Sequence, residues 1–429
     1  MKILIKGGRV VDPANKLDAV SDILIKETKI AKVAPNITTK ADRIIEASNK
    51  IVVPGLVDMH VHLREPGRED KETIASGTQA AVQGGVTSVL AMPNTQPAMD
   101  SPENIQALKM IIKKDACAHV FIAGTITFGR QGRELAAIDS FKKAGAVAIT
   151  DDGSSLEDEA LLLEALKKAK QHSVITICHC EDTFLSKGGV VNFGVMSTML
   201  GLRGVSSESE YARIERDINL AQKVDAPIHI AHVSCKESVE VIAKAKKKKV
   251  RVTAETAPHY LMLYDELLLG YDTNLKINPP LRSKEDVKAL QQGIKSGIID
   301  CIASDHAPHT QAEKDRVFEI APCGTIGLET ALSVVITELI TKGIIDWPQL
   351  VQRMAYSPAR ILGLDKGTLS EGAIADIAIV DPQAEWLVAK EALRSQSRNS
   401  AFLGRTLKGV VEHTIIAGEI AYQHTAVSS

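Results

Sequence analysis

His60 and His62 stand two apart in the run PGLVDMHVHLREPG. Residues two apart on a strand share one face, so the two imidazoles can grip a single metal ion. In isolation the pair also fits two histidines hydrogen-bonded at a strand end. The rest of the chain supplies company: Asp151 and Asp152 in ITDDGSS, His179 in ICHCED, His232 in IAHVS and Asp305 in IASDHAPH each close a short apolar run. Four histidines and two carboxylates suit two zinc-like ions bridged by a carboxylate and a hydroxide. Asp152 is the expected bridge, and Asp151 is expected to cap the helix that follows near Ser155 or to support its neighbour from behind. Asp305 has a further task. A metal-acidified hydroxide can give its proton to an adjacent carboxylate during attack, and that carboxylate can return it to the leaving nitrogen.

Further polar residues follow the same runs: Arg64 just after the histidine pair, Asn94 in AMPNTQP and Asn278 in KINPPLR. The planar guanidinium of Arg64 suits a bidentate contact with a substrate carboxylate, the alternative being an ion pair with Glu65 or a loop acid. His309 in SDHAPH adds a donor to the same anion, whereas His306 reads as a buried supporting group. The stretch GTIGLE after Cys323 can bring backbone groups to a ring. Cys178 and Cys180 flank His179, point away from it on a strand, and read as small core residues.

These residues need a frame. Eight apolar runs, at about 55–61, 86–91, 118–124, 146–150, 174–178, 228–232, 250–255 and 299–304, alternate with helical stretches such as LEDEALLLEALKKAKQ. Eight such repeats close most naturally as a (β/α)8 TIM barrel, whose C-terminal rim collects functional groups. The candidate ligands fall at the C-terminal ends of these runs. Residues 1–53 and 365–429 alternate apolar and polar positions, and Gly418 sits at the turn of a hairpin. The two segments are expected to join in one composite β domain, with the barrel spanning 54–364. The basic run KAKKKKV reads as a solvated helix end, and the mixed-charge segment 310–322 (TQAEKDRVFEIAP) as a loop at the rim.

The bulk properties narrow the partners. The 429 residues, 45% hydrophobic, can bury a large core. Lys+Arg 51 against Asp+Glu 53 leaves a net charge of −2, with no footprint for nucleic acid or an anionic membrane. A small molecule is the default partner. The N-terminus MKILIKGGRVVDP lacks the apolar core of a secretory signal, and no stretch approaches a membrane span. Six cysteines in this length point to reduced thiols and a cytoplasmic chain.

At these residues the chain resembles the amidohydrolase superfamily and, within it, the bacterial class I dihydroorotases. The runs DMHVHLREPG, AMPNTQP, ITDDGSS, ICHCED, IAHVS, INPPLR, IASDHAPH and APCGTIGLET carry the resemblance over nearly the whole chain. It implies reversible, zinc-dependent interconversion of N-carbamoyl-L-aspartate and (S)-dihydroorotate in pyrimidine biosynthesis. It further implies that His60, His62 and Asp305 hold one zinc, that His179 and His232 hold the other, and that Asp152 bridges them. His62, Arg64, Asn94, Asn278 and His309 would bind substrate, with Cys323 and Gly324 lining the ring. Many relatives in the superfamily bridge their metals with a modified lysine, but AVAITDDG has none, so an aspartate bridge follows. Cys323 stands where close relatives would carry an aromatic. Two other readings remain: another cyclic amidohydrolase (hydantoinase, dihydropyrimidinase or allantoinase), or a silent scaffold for aspartate transcarbamoylase. The presence of all six ligands argues against the scaffold. A homodimer and an association with that transferase are expected partners.

Overall fold

The computed structural model describes residues 1–425. Its first strands are β1 (Lys2–Asp12), β2 (Leu17–Lys26), β3 (Lys29–Ala34), β4 (Arg43–Glu46) and β5 (Ile51–Pro54). The barrel segment contributes β6 (Leu56–Val61), β7 (Val86–Ala91), β8 (His119–Gly124), β9 (Ala146–Ile149), β10 (Ile175–Cys178), β11 (Val191–Asn192), β12 (Gly204–Val205), β13 (Ile228–Ile230), β14 (Val252–Thr256) and β15 (Cys301–Ile302). The chain ends in β16 (Ile377–Leu387), β17 (Thr406–Ile416) and β18 (Glu419–Gln423).

The two ends of the chain share one sheet, because neither end has enough strands to bury its own apolar face. Its order is β18-β17-β16-β5-β1-β2-β3, with β4 paired beside β1. The junction is β5, parallel to β1 and antiparallel to β16. Ile3, Ile5, Val10, Ile23, Ile377 and Ile415 form a separate core under this sheet. Asp12, fully buried, fastens its edge by accepting from the backbone of Ala14 (3.1 Å) and Leu369 (2.7 Å) and from the Thr368 hydroxyl (3.1 Å). Gly418, at a φ of 79°, makes the turn between β17 and β18.

The second sheet is the expected barrel: eight parallel strands in the order β15-β14-β13-β10-β9-β8-β7-β6. Its strands are apolar on both faces, as parallel strands must be when buried on both sides. One cluster of small and medium side chains (Met59, Leu90, Ala123, Ala148, Ile177, Ala303) packs with Ala359 and Leu362. The larger cluster joins the opposite faces (Val61, Val89, Ile122, Ile149, Ile230, Ile302) to helix residues such as Ile74, Ile105 and Leu166. Helices start where the sequence offers side-chain caps, with capping boxes at Thr73 and Ser283 and single caps at Ser101 and Asp158. The helix after ITDDGSS begins at Glu159 under Asp158. Asp151 therefore caps nothing there. The basic run lies in the last turn of the helix Lys236–Lys247, as expected.

The barrel closes between β6 and β15, and the closure is narrow because β15 has two residues. The amide of His62 donates to the carbonyl of His306 at 2.9 Å. The buried Asp58 carboxylate accepts from the amides of Ser304 (3.1 Å) and His60 (3.2 Å). On the other side of β6 the ladder to β7 shifts register between Asp58 and Val61, an irregularity of the kind that re-aims side chains next to active sites. Among the described residues no helix is long and apolar enough to cross a membrane. All six cysteines are free.

Asp12→Ala would leave the buried amide of Leu369 without an acceptor, a cost of about 1–3 kcal/mol. A thermal melt followed by circular dichroism should show the midpoint falling by a few degrees; an unchanged midpoint would show that the clamp contributes nothing.

Candidate metal centre

All six expected ligands stand on the C-terminal rim of the barrel. His60 ends β6 with His62 just beyond, and Asp152, His179, His232 and Asp305 follow β9, β10, β13 and β15. All six are buried. Three residues here adopt left-handed backbone although none is glycine: Arg64 (φ 61°), His232 (φ 33°) and Asp305 (φ 47°). Such conformations cost of order 1–3 kcal/mol and cluster where function demands them.

Asp152 sits at the centre of the imidazoles. Its Oδ1 is 3.2 Å from His60 Nε2 and 3.6 Å from both His179 Nδ1 and His232 Nε2, and its Oδ2 is 3.4 Å from His62 Nε2. Asp305 Oδ1 lies 3.3 Å from His62 Nε2 and 3.7 Å from His60 Nε2. His179 Nδ1 approaches His232 Nε2 to 2.8 Å. Two compact donor groups result, His60–His62–Asp305 and His60–Asp152–His232.

The outward nitrogens explain why the inward ones are bare. His60 Nδ1 meets Glu255 Oε1 at 2.6 Å, His62 Nδ1 meets Asn94 Oδ1 at 2.9 Å, and His179 Nε2 meets Glu181 Oε2 at 3.1 Å. A carboxylate or carbonyl oxygen can only accept, so each imidazole must place a proton on its outward nitrogen. The inward nitrogens of the neutral rings then offer lone pairs. His60 Nε2 and Asp152 Oδ1 are buried atoms with no hydrogen-bond partner. A lone pair facing a carboxylate oxygen is repulsive unless a positive charge lies with them, so the donor set fits a divalent cation held by imidazole and carboxylate.

The proton equilibria agree. Burial opposes a charged His60, but Asp152 and Glu255 outweigh it and hold its pKa well above the ordinary histidine range. Burial likewise opposes charge on His179, while Asp152 and Glu181 raise it to about 9. Burial would raise Asp152, yet the surrounding imidazoles, His60 foremost, hold it well below the ordinary carboxylate range. The centre demands positive charge, and without metal it takes protons.

Of the two roles expected for Asp151, the structure shows the supporting one. Its carboxylate accepts from the amides of Ile126 (2.8 Å) and Thr127 (3.1 Å) and from the Thr127 hydroxyl (2.5 Å). Arg130 returns the clasp, donating to the carbonyl of Asp152 at 2.6 Å. The loops after β8 and β9 thereby fix the central carboxylate. His306 is fully buried, with Nε2 3.2 Å from Glu72, as a supporting residue should be. Cys178 and Cys180 are buried in the main core.

Above the ligands opens a cavity of about 250 Å³. His62, Arg64, Asn94, Asp152, His179, His232, Asn278, Asp305, His309, Cys323 and Gly324 all line it, while His60 lies beneath. Arg64 Nε donates to the Pro308 carbonyl at 3.1 Å, and burial pushes its pKa down to about 10, so it stays cationic at neutral pH. Asn94 gives its oxygen to His62, leaving its amide nitrogen uncommitted. His309 is held within the same wall. Burial and the charges of Arg64 and Lys71 lower its pKa to about 3. The neutral ring accepts from Lys71 Nζ (3.0 Å) and spends its one N–H on the carbonyl of Cys323 (2.8 Å), bracing the wall. Gly324 must be glycine, since at φ 137° a Cβ would fall 2.9 Å from the Ala307 carbonyl oxygen. The segment 310–322 is tied down by two buried lysines. Lys314 donates to the carbonyls of Pro322 (3.0 Å) and Gly324 (2.9 Å), and Lys276 to those of Phe318 (2.7 Å) and Glu319 (2.8 Å).

Sequence reasoning missed Glu255, Glu181 and Asp58, which orient ligands without touching the cavity. A signal existed for two of them: Glu255 interrupts the apolar strand VTAET, and Asp58 shares the period of His60 and His62.

Comparison with known proteins places this geometry in company. Residues 49–238 match the family model described as Dihydro-orotase-like. The chain is 50% identical over 424 residues to the dihydroorotase of Elusimicrobium minutum (strain Pei191), covering 99% of this chain and 98% of that one. It is 48% identical over 428 residues to the dihydroorotase of Pelotomaculum thermopropionicum, covering all of both. Among solved structures, the L-hydantoinase (dihydropyrimidinase) from Arthrobacter aurescens superposes with a TM-score of 0.89 at 24% identity, over 100% of this chain and 97% of that one. A D-hydantoinase superposes with a TM-score of 0.84 at 26% identity, over 98% and 95%.

Two outcomes follow for the centre itself. Glu255→Gln should weaken zinc binding by about 10- to 100-fold, measured by titrating metal-stripped protein, because the amide no longer reinforces the basicity of His60. With His179 raised to about 9, a metal entering below that pH must displace a proton. Zinc affinity should therefore climb from pH 6 to pH 9, and calorimetry in buffers of different ionisation enthalpy should register proton release. A pH-independent affinity would contradict this.

Proposed function

The chain belongs to the dihydroorotase family, cyclic amide hydrolases of pyrimidine biosynthesis, and from that premise we propose how its rim performs the reaction. His60, His62 and Asp305 would hold one zinc ion and His179 and His232 a second, with Asp152 the carboxylate shared by the two groups of ligands. Zinc bound there would polarise the ring amide carbonyl and acidify the attacking water.

The chain's own residues do the rest. Asp305, ionised and aimed at His62 and His60, takes the proton of the attacking water and returns it to the ring nitrogen as the amide opens. Arg64 meets the carboxylate of (S)-dihydroorotate with its charge, and Asn94 contributes its free amide nitrogen. Asn278 faces the same space, and the backbone at Cys323 and Gly324 flanks the ring. In the biosynthetic direction the same groups close N-carbamoyl-L-aspartate. His309 lines the same cavity, contributes to recognition of the substrate carboxylate, and holds Cys323 in place. The observation that carries the reading is the bare pair His60 Nε2 and Asp152 Oδ1 at a cavity that is also lined by a half-buried arginine. The barrel at 54–364 would form one unit, and the segments 1–53 and 365–429 the other. A cytoplasmic location is supported by six free cysteines. A homodimer and association with aspartate transcarbamoylase belong to the same proposal; gel filtration with and without the transferase tests both.

Ring opening of dihydroorotate is the decisive assay. Asp305→Asn should cut kcat by about 10²–10⁴-fold, the span of a lost acid–base group. Arg64→Ala should act chiefly on KM, by roughly 10- to 100-fold, as expected for a lost hydrogen bond to a charged group. Turnover of 5-substituted hydantoins above that of dihydroorotate, or full activity in metal-free protein, would overturn the proposal.

A further inference from the structure

Glu181 is absent from the catalytic scheme, yet one of its oxygens serves two of the scheme's residues. Oε2 accepts from His179 Nε2 at 3.1 Å and from Asn278 Nδ2 at 3.0 Å. His179 comes from the loop after β10, whereas Asn278 comes from the loop after β14, so the carboxylate spans two walls of the cavity. Its own backbone is braced: the Glu181 amide donates to Ser155 Oγ at 3.2 Å, and that hydroxyl donates to the His179 carbonyl at 3.0 Å.

We infer that Glu181 is a positioning residue that couples the metal centre to substrate recognition, by fixing the His179 tautomer and the Asn278 amide orientation with a single acceptor. Imidazole and carboxamide are ambiguous groups, each able to donate or accept at a given position. A carboxylate only accepts. Facing it, His179 must present N–H at Nε2 and a lone pair at Nδ1, toward Asp152 and His232. Facing it, Asn278 must turn its nitrogen outward and keep its carbonyl oxygen for the cavity. That oxygen is an acceptor suited to a ring N–H of a cyclic amide. The inference rests on the proposed dihydroorotase chemistry for its substrate half, and on the donor set alone for its metal half.

Glutamine at position 181 weakens both duties. Its Oε1, in the place of the shared oxygen, is a neutral and weaker acceptor for both partners, and its carboxamide can turn over, so that Nε2 donates toward Asn278 and turns that group over too. Substrate would then face a donor where it needs an acceptor. Tolerance of the change is expected, because the Glu181 side chain is 25% exposed.

The test combines zinc titration of the metal-stripped full-length chain with steady-state kinetics on dihydroorotate. Glu181→Gln should weaken the looser zinc-binding step by about 10- to 100-fold and raise KM by roughly tenfold, the loss of one good hydrogen bond. In an Asn278→Ala background the same substitution should still weaken zinc but leave KM where Asn278→Ala alone puts it. Glu181→Asp, which stays an acceptor but withdraws its oxygen by one methylene, should move both readouts in the same direction and serves if the glutamine variant misfolds. Zinc affinity within twofold of wild type overturns the metal half. KM effects that multiply in the double variant overturn the shared link. If the wild-type chain fails to open dihydroorotate, the functional proposal falls, while the zinc titration still decides whether Glu181 positions His179.

Discussion

A knot of buried acceptors is tolerable only if positive charge sits among them, and the rest of this structure is arranged around that requirement. Asp152 is ringed by the inward nitrogens of four histidines, and no backbone or side-chain donor reaches its Oδ1. Burying an uncompensated carboxylate costs several kcal/mol. The fold accepts that cost because the loops after eight strands converge on one rim, the place in a barrel where side chains from distant segments can meet. Oxygen acceptors at Glu255, Asn94 and Glu181 then turn three of the four rings so that lone pairs point inward. Their orientation is set from outside the knot.

The cavity above has the opposite character. Burial, together with the charges of Arg64 and Lys71, keeps His309 neutral and therefore usable as a fixed brace. Lys276 and Lys314 bond to backbone carbonyls, so the wall carrying Cys323 and Gly324 is held by cations that have no carboxylate partner in these bonds. An anionic ring thus finds a negative floor that needs a cation and side walls that already supply one. The two fields are complementary, which favours a ligand with a polarisable carbonyl at one end and a carboxylate at the other.

The ligands were legible because two periodic rules overlap. Side chains two apart share a strand face, and barrel strands deliver their C-terminal residues to one rim, so His60, His62, Asp152, His179, His232 and Asp305 could be placed together before any coordinates. The eight apolar runs matched the strands for the same reason: parallel strands are apolar on both faces. Asp151 and Asp152 could not be told apart as cleanly. Adjacent residues point in different directions, and only the tertiary partners Ile126 and Thr127 show that Asp151 secures a loop and caps no helix. Glu181 and Glu255 were harder still. Their value lies in which atom of another residue they face, and spacing along the chain does not encode that. The contact of Lys71 with the His309 ring was hidden for the same reason.

The seam of the barrel adds a last point. The sheet closes through the amide of His62 and the carboxylate of Asp58, between a strand of six residues and one of two. The same His62 presents its ring to the ligand cluster, and Asp305 follows directly on Ser304, the residue Asp58 holds. The weakest lateral joint of the scaffold and its chemical centre are therefore one place. An ion held by His62 and Asp305 would therefore brace the seam as well as the chemistry. Durability and activity in this protein are a single property, set by a handful of residues around one closure.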